Sequence, residues 1–212
     1  MKTTAFSKAA AAATIIISLI GAAAPQALHA AGAVSFADGT QGAWYEAAVQ
    51  WGLSQGVVTG YADGSFKPNK TVTEAEFLAM LLRTFEPNLT TGQNQIWSDA
   101  YYEKAKEMNY PVKSYTDVEP RNKTILRQQV AELLAAAEGV NFKGDDAIHY
   151  TLAFGLANGS DPNQMSITSF NGDKELTRAE ALQFVKNLYE YGIGGLLERP
   201  QEPTNPASLP AI

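Results

Sequence analysis

Apolar residues recur along the chain with the spacing of a helix face. Three stripes place mostly apolar residues at positions i, i+3, i+4 and i+7, the pattern of an amphipathic helix with one buried side. The stripes are Phe77, Met80, Leu81 and Thr84; Val130, Leu133, Leu134 and Ala137; and Ala181, Phe184, Val185 and Leu188. The pattern therefore predicts three helices that each bury one face.

The first and third of these helices begin with the same start signal. Thr73 and Thr177 are each followed three residues later by a glutamate, Glu76 or Glu180. This is the pattern of a capping box, in which a hydroxyl and a carboxylate satisfy free backbone amides at a helix start. The middle helix begins at residues 126–129, about half-way between them, without a hydroxyl. Three similar starts at nearly equal spacing indicate a threefold internal repeat.

Each repeat also has an earlier helix and an ordered loop. These first helices are predicted at residues 44–55, 99–108 and 146–154. Gly56 and Asn109 follow two of them and suit a left-handed helix cap. Thr124 is expected to cap the middle long helix from two residues upstream of Leu126. A repeat is therefore helix, loop, helix, and the predicted fold class is mainly α.

The first thirty or so residues have the pattern of a secretory signal. Lys2 and Lys8 form a basic region, residues 9–24 are apolar, and residues 28–31 offer a cleavage site. An uncleaved membrane anchor is the alternative, but the apolar run is shorter than the roughly 20 residues of a spanning helix. We therefore expect a signal peptide at residues 1–31, with no membrane contact of the mature chain after cleavage.

Composition narrows the class of partner. The chain has 16 basic and 22 acidic residues, a net charge of −6, which argues against nucleic acid and anionic lipid as bulk partners. It has no cysteine, so an exported form must be held together by packing. His149 is the single histidine after the predicted signal, and no serine-nucleophile, phosphate-loop or metal-ligand motif occurs. We therefore predict a protein that is not an enzyme and uses no cofactor or metal.

One series of motifs orders about a dozen residues in the first repeat. The series is Phe36-x-Asp38, Trp44, Gly56, Gly60-Tyr61-x-Asp63-Gly64-x-Phe66-Lys67-Pro68-Asn69 and Val72-Thr73-x-Ala75-Glu76-Phe77. It resembles the S-layer homology domain family. The resemblance extends to three tandem modules at residues 35–86, 96–139 and 143–192, of which the second is degenerate. A proline-rich tail at residues 193–212 is expected to be disordered.

The resemblance implies both an architecture and an activity. In that family three modules form a pseudo-threefold prism around a central helix bundle, and ligand binds in grooves between modules. The usual ligand is a secondary cell-wall polymer, an anionic carbohydrate that often carries a pyruvate ketal. The implied function is non-covalent anchoring of a secreted protein to the bacterial cell wall or S-layer surface. The alternative is a structural or protein–protein module, bound to other envelope proteins, that has lost sugar binding.

The resemblance also assigns candidate ligand-binding residues. The arginine of the family's Thr-Arg-Ala-Glu motif corresponds to Arg178 and less closely to Arg127, whereas Glu74 occupies this position in the first module. The tryptophan of the family's module start corresponds to Trp44 and Trp97, as a sugar-stacking platform or as core between modules. The candidates are Arg178, Arg127, Trp44, Trp97, Asp63, Gly64 and Lys174.

Arg178 is also unusual on helix grounds alone. It falls at the first helical position, where the helix dipole disfavours a cation by roughly 0.3–1 kcal/mol. A cation beside the free amides of a helix start makes an anion site, since the arginine fork and the amides converge on one carboxylate. We therefore favour a ligand role for Arg178 over that of a solvated surface residue.

Overall fold

Helices are the main secondary structure in the part of the chain that the structure describes. The structure, a computed structural model, describes residues 35–90, 92, 95–159 and 165–212. Within these residues the β-pairing consists of isolated bridges, so the predicted mainly α fold class is confirmed. The helices are α1 (Glu46–Ser54), α2 (Glu74–Phe85), α3 (Asp99–Glu107), α4 (Val118–Arg121), α5 (Arg127–Ala137), α6 (Gly144–Ala153), α7 (Ile167–Phe170) and α8 (Arg178–Tyr191). The predicted signal peptide lies outside the described residues.

The three predicted stripes lie on α2, α5 and α8 and form the core. Every member is buried except Thr84, which is half-buried. α2 begins with the capping box of Thr73 and Glu76. α8 begins with the capping box of Thr177 and Glu180. The helix starts and the buried faces predicted for these two helices are therefore confirmed.

The start of α5 is capped on one side only. The side-chain oxygen of Gln129 accepts a hydrogen bond from the Leu126 N–H at 3.0 Å, but leucine has no oxygen to accept one in return. The hydroxyl of Thr124 donates instead to Glu175, so the prediction that Thr124 caps this helix is wrong. The reason is that Thr124 lies in backbone that pairs with Thr73 of the first repeat.

Three residues just before the long helices are joined in a closed ring of backbone hydrogen bonds. The N–H of Ile125 donates to the carbonyl of Val72, Val72 donates to Leu176, and Leu176 donates back to Ile125, at 3.0, 3.0 and 3.1 Å. All three side chains are buried. Each repeat supplies one member, so the ring is complete only when all three repeats are folded.

The first amides of the three long helices extend this pattern. An amide at this position has no partner within its own helix. Here each one donates to a carbonyl of another repeat. The pairs are Glu74 with Lys123 at 3.0 Å, Arg127 with Lys174 at 2.9 Å, and Arg178 with Lys70 at 2.8 Å. The helix starts are therefore satisfied between repeats in a pseudo-threefold arrangement.

The first helix of each repeat packs on the long helix of a different repeat. α1 packs on α8, α3 packs on α2, and α6 packs on α5. α2 and α8 also pack against each other. The apolar stripe of each repeat is therefore covered by a helix from another repeat. The described residues fall in one compact unit, and the module boundaries given above stay predictions.

The chain after α8 is ordered, and the prediction of a disordered tail is wrong. The N–H of Leu197 donates to the carbonyl of Ala137 at 2.9 Å, and its own carbonyl accepts from the Tyr110 hydroxyl. Farther on, the N–H of Thr204 donates to the carbonyl of Asn141 at 3.0 Å. Proline-rich composition predicts disorder only when a segment has no partners. This segment has partners near the ends of α3 and α5.

Arg199 is the main polar anchor of this tail. Its guanidinium donates to the backbone carbonyl and the side-chain oxygen of Asn109 and to the side-chain oxygen of Asn141. The side-chain amide of Asn109 donates back to the carbonyl of Arg199. Asn109 has a φ of 55°, the left-handed conformation predicted for it from its place after the first helix of the second repeat. Asparagine tolerates this conformation and, unlike glycine, offers the tail an acceptor and a donor.

Replacing the anchor should destabilise the whole chain. Arg199→Ala removes three charged hydrogen bonds, and each such bond contributes about 1.5–3 kcal/mol at most. We expect the free energy of unfolding, measured in urea, to fall by about 1–3 kcal/mol. The exposed Glu202, in the same tail, provides the control, and Glu202→Ala should change stability by about 0.5 kcal/mol or less. Equal urea midpoints for Arg199→Ala and the wild type would contradict an anchored tail.

Candidate functional site

The two arginines at helix starts are buried rather than solvated. Arg127 is 3% exposed and Arg178 is 9% exposed. Nη2 of Arg178 donates to the carbonyl of Thr59, and Nη2 of Arg127 donates to the carbonyl of Asn158, both at 2.7 Å. Both carbonyls belong to the loop that follows a first helix. Each arginine therefore joins the start of a long helix to the loop of another repeat.

The amides beside Arg178 are not free to bind a ligand. The Arg178 N–H donates to Lys70, and the next amide, of Ala179, donates to the carbonyl of Pro68 at 3.0 Å. The amide of Glu180 is satisfied by the Thr177 cap. The sequence-based idea that arginine and free helix amides converge on one anion is therefore wrong. Only the side chain of Arg178 is left to act on a ligand.

Arg127 is almost fully engaged within the protein. Its Nε donates to the carbonyl of Phe170, and Nη1 forms a salt bridge with Glu180 at 2.7 Å. The guanidinium lies over the rings of Phe170 and Phe184, at 4.6 and 5.1 Å from their centroids. Burial lowers the pKa of Arg127, and the charge of Glu180 opposes this shift. The positive charge of Arg127 is therefore balanced by a neighbouring carboxylate.

The guanidinium of Arg178 has fewer hydrogen-bond and ion-pair partners than that of Arg127 in the described part of the chain. Its Nε is buried and has no hydrogen-bond partner among the described residues. The guanidinium lies over the rings of Tyr61 and Phe66, at 5.2 and 4.8 Å. Burial lowers the pKa of Arg178, while Tyr61 and the carboxylate of Glu76 oppose this shift. A buried, charged group with an unmade hydrogen bond is costly, so a nearby anion would be stabilising.

Arg178 lines a small groove, which we call the Arg178 groove. Its volume is about 110 Å³. Its walls include Thr59, Glu76, Met80, Arg83, Trp97 and Arg178. The carboxylate of Glu76 forms a salt bridge with Lys70 at 3.1 Å, and Nε of Arg83 donates to the Tyr101 hydroxyl at 2.7 Å. Because Lys70 neutralises the one acidic side chain, the two guanidinium groups leave the groove with net positive charge.

Arg127 lines a larger groove, which we call the Arg127 groove. Its volume is about 710 Å³. Its walls include Trp44, Arg127, Asn158, Glu180, Gln183 and Phe184. Glu180 is held in place by the N–H and the hydroxyl of Thr177, at 2.9 and 2.7 Å. This groove therefore has an aromatic wall, amide side chains and a balanced ion pair.

The two tryptophans lie at these grooves and not in the core. Trp44 is 64% exposed and Trp97 is 48% exposed. The open question between stacking platform and core is therefore decided against core. Each indole makes an edge contact with a tyrosine, Trp44 with Tyr45 at 5.3 Å and Trp97 with Tyr101 at 6.2 Å. An exposed aromatic ring at a groove is a surface on which a sugar ring can stack.

Glu74 fills the position of the third arginine with the opposite charge. It is 1% exposed, and its carboxylate accepts hydrogen bonds from the Tyr102 hydroxyl at 2.8 Å and from the Lys113 N–H at 3.1 Å. Arg127 and Arg178 donate to a loop carbonyl, whereas Glu74 accepts from a loop amide. The first residue of all three long helices therefore bonds to the loop of another repeat, but in the first repeat the side chain is the acceptor and no longer the donor. Neither groove described above includes Glu74.

The remaining sequence candidates lie outside the walls of both grooves. Asp63 forms a salt bridge with Lys67 and accepts from Ser65, and these interactions lower the pKa of Asp63. Gly64 has a φ of 78°, and the carbonyl of Lys174 accepts from the helix-start amide of Arg127. Their geometry shows structural contacts, and a ligand role for these residues stays a prediction.

Arg83 and Gln183 were missed in the sequence. Both lie on the long helices, three residues beyond Met80 and three beyond Glu180, on faces turned partly towards the grooves. The available signal was helical spacing, because Arg83 is seven residues after Glu76 and therefore on the same face. Thr59 and Asn158 carry no such signal, since they take part through backbone carbonyls.

Comparison with known proteins gives matches to part of the chain. Residues 35–78 match the S-layer homology domain family. The chain is also similar to Cell surface glycoprotein 1 of Acetivibrio thermocellus, with 37% identity over 71 residues. That stretch is 34% of this chain and 3% of the relative, so the chain spans only a small part of the relative's length.

Residues 35–78 are therefore similar to an S-layer homology domain. A domain of this family implies association with the cell surface or cell wall. The family match covers the first repeat, and the assignment of the second and third repeats as modules stays a prediction.

Two further findings concern membrane-spanning helices and clusters of metal-binding side chains. Within the part of the chain that the structure describes, no helix is both long and apolar enough to cross a membrane. The same residues contain no group of three or more histidine, aspartate or glutamate side chains placed to hold a metal ion.

Glu74 gives a testable pH dependence. Burial raises the pKa of Glu74 above its ordinary 4.5, against the opposing hydrogen bonds from Tyr102 and Lys113. The folded chain therefore holds this proton more tightly than the unfolded chain does. The resulting stability is present below about pH 4.5 and is lost as the pH rises through the raised pKa. Glu74→Gln, which keeps an acceptor oxygen, removes this loss.

The measurement is urea unfolding of the wild type and Glu74→Gln at several pH values. We expect the variant to gain stability relative to the wild type as the pH rises from about 4.5 to 8. Glu202→Gln, at an exposed site, controls for the removal of one charge. A difference between Glu74→Gln and the wild type that stays constant with pH contradicts the raised pKa.

Proposed function

We propose that the chain is a non-covalent anchor to the cell envelope, which binds an anionic secondary cell-wall polysaccharide in the grooves between its repeats. The observation that carries the proposal is the Arg178 groove. There Arg178, whose Nε has no hydrogen-bond partner among the described residues, lines the same groove as Arg83 and the exposed Trp97. Cations for a carboxylate and an aromatic ring for a sugar form a site for an acidic carbohydrate.

The size of the Arg178 groove favours a small acidic substituent over a whole sugar ring. A volume of about 110 Å³ is well below the roughly 300–1,000 Å³ of sites that hold a whole small molecule. A pyruvate ketal presents a carboxylate of suitable size at the edge of a sugar. The ketal carboxylate would enter the groove while the sugar ring stays outside, against Trp97.

The net charge of the chain limits where such a polymer binds. At −6 the protein repels polyanions at long range. Binding therefore depends on a local positive site, and the Arg178 groove supplies one through Arg178 and Arg83, because Lys70 neutralises Glu76. Salt should weaken such binding, because part of its free energy is Coulombic.

The alternative function is a structural or protein–protein module of the envelope without sugar binding. Two observations favour it. Arg127 has its charge balanced by Glu180, and Glu74 replaces the third arginine in a buried contact. Two of the three helix starts therefore hold the repeats together and have no cation free for a ligand. The S-layer homology domain is a wall-binding rather than a catalytic family, so both candidates are binding functions.

Removing the cations of the Arg178 groove should weaken polymer binding. Arg83→Gln leaves the bond between Arg178 and Thr59 intact, and we expect it to lower the affinity for a pyruvylated disaccharide about tenfold. Arg178→Ala should lower the affinity further, but it also breaks the bond to Thr59 and so should reduce stability. Isothermal titration calorimetry at fixed salt measures both.

Lys123→Gln provides the matched control. Lys123 is an exposed cation outside the Arg178 groove, and its salt bridge with Glu119 is exposed as well. The variant therefore removes one positive charge and a surface ion pair of little energetic weight, and it should bind like the wild type. Equal affinities for the wild type, Arg83→Gln and a folded Arg178→Ala exclude the arginines from binding. An absence of heat with every variant leaves the protein–protein alternative.

A further inference from the structure

The two grooves are related by the repeat but differ at the positions that decide charge. At the offset of 104 residues that relates Glu76 to Glu180, Arg83 of the Arg178 groove corresponds to Asn187. The side chain of Gln183 donates to the side-chain oxygen of Asn187 at 2.7 Å. Asn187 is buried and does not line the Arg127 groove, whereas Gln183 does. The Arg127 groove therefore has no counterpart of the Arg83 cation among its lining residues, and it has the neutral amide of Gln183.

The glutamate of each groove forms its salt bridge with a different kind of partner. In the Arg178 groove, Lys70 neutralises Glu76 and leaves the arginine charge under-compensated. In the Arg127 groove, Glu180 pairs with Arg127 itself. An anion entering this groove would meet the carboxylate of Glu180, which Thr177 holds in place. The Arg127 groove therefore disfavours an anion.

The shape of the Arg127 groove suits sugar rings. Its volume of about 710 Å³ lies within the roughly 300–1,000 Å³ of small-molecule sites. The exposed ring of Trp44 offers a stacking face, and the amide of Gln183 offers both donors and acceptors. Sugar hydroxyls also donate and accept. The groove thus combines an apolar platform with neutral polar groups.

We propose that the Arg127 groove binds uncharged sugar residues of the same polymer, while the Arg178 groove binds its acidic substituent. This inference rests on the proposed function. The two grooves bind different parts of one polymer. Trp44 and Gln183 contact the neutral sugar ring, and Arg178 and Arg83 bind the carboxylate. Binding at the Arg127 groove is then insensitive to salt, in contrast to binding at the Arg178 groove.

The indole N–H signals of the full chain distinguish the two sites. Trp44 and Trp97 each line one groove, and Trp51, which packs against Tyr189, is the third tryptophan and an internal reference. The probes are a neutral N-acetylhexosamine disaccharide and the same disaccharide with a pyruvate ketal. Single tryptophan-to-phenylalanine variants assign the three signals in NMR spectra.

We expect the neutral probe to shift the Trp44 signal and leave Trp97 unchanged. The ketal probe should shift both, and high salt should suppress the Trp97 shift alone. Trp44→Ala should weaken binding of the neutral probe about tenfold or more, whereas Trp97→Phe should leave it unchanged. Because Trp44 is exposed, its replacement should not unfold the chain.

Three outcomes overturn the inference, and they differ in what they say of the proposed function. If the ketal probe shifts Trp97 and the neutral probe shifts nothing, anionic binding stands and the division between grooves fails. A salt-sensitive Trp44 shift that requires the ketal makes the Arg127 groove a second anion site and also refutes the division. If neither probe shifts Trp44 or Trp97, both the division and the proposed function fail.

Discussion

The ring of hydrogen bonds among Val72, Ile125 and Leu176 is the constraint on which the rest of the structure depends. Each residue donates to one repeat and accepts from the other. Because all three are buried, an unmade bond would leave a backbone group without water, at a cost of about 1–3 kcal/mol. The three long helices must therefore start at the same place, with their first amides paired between repeats. The first helix of each repeat then packs on the long helix of another repeat and covers its apolar stripe.

The grooves follow from this arrangement. With the helix starts fixed at the ring, the residue at the first helical position points at the loop of another repeat, where Arg127 and Arg178 each meet a carbonyl. Glu74 shows that the position is structural first, since a carboxylate fills it once the loop offers an amide. Ligand chemistry is added around this contact. Arg83 makes one groove positive, and Glu180 makes the other neutral.

Sequence patterns predicted what is local and missed what depends on contacts between distant residues. The stripes and the two capping boxes depend on spacings of three to seven residues, and both were predicted. The burial of Arg127 and Arg178 was missed, because their partners lie 31 and 119 residues away in the chain. The tail was misjudged for the same reason: its prolines are visible in composition, whereas the partners of Arg199 at Asn109 and Asn141 are not.

Native-state hydrogen exchange of the three ring amides tests the central claim most directly. If the ring closes only when all three repeats are folded, the amides of Val72, Ile125 and Leu176 exchange through one opening reaction. Their opening free energies should then be equal and match the global free energy of unfolding. One ring amide that exchanges tenfold or more faster than the other two, a difference of about 1.4 kcal/mol, would show that a repeat opens by itself and would contradict the account.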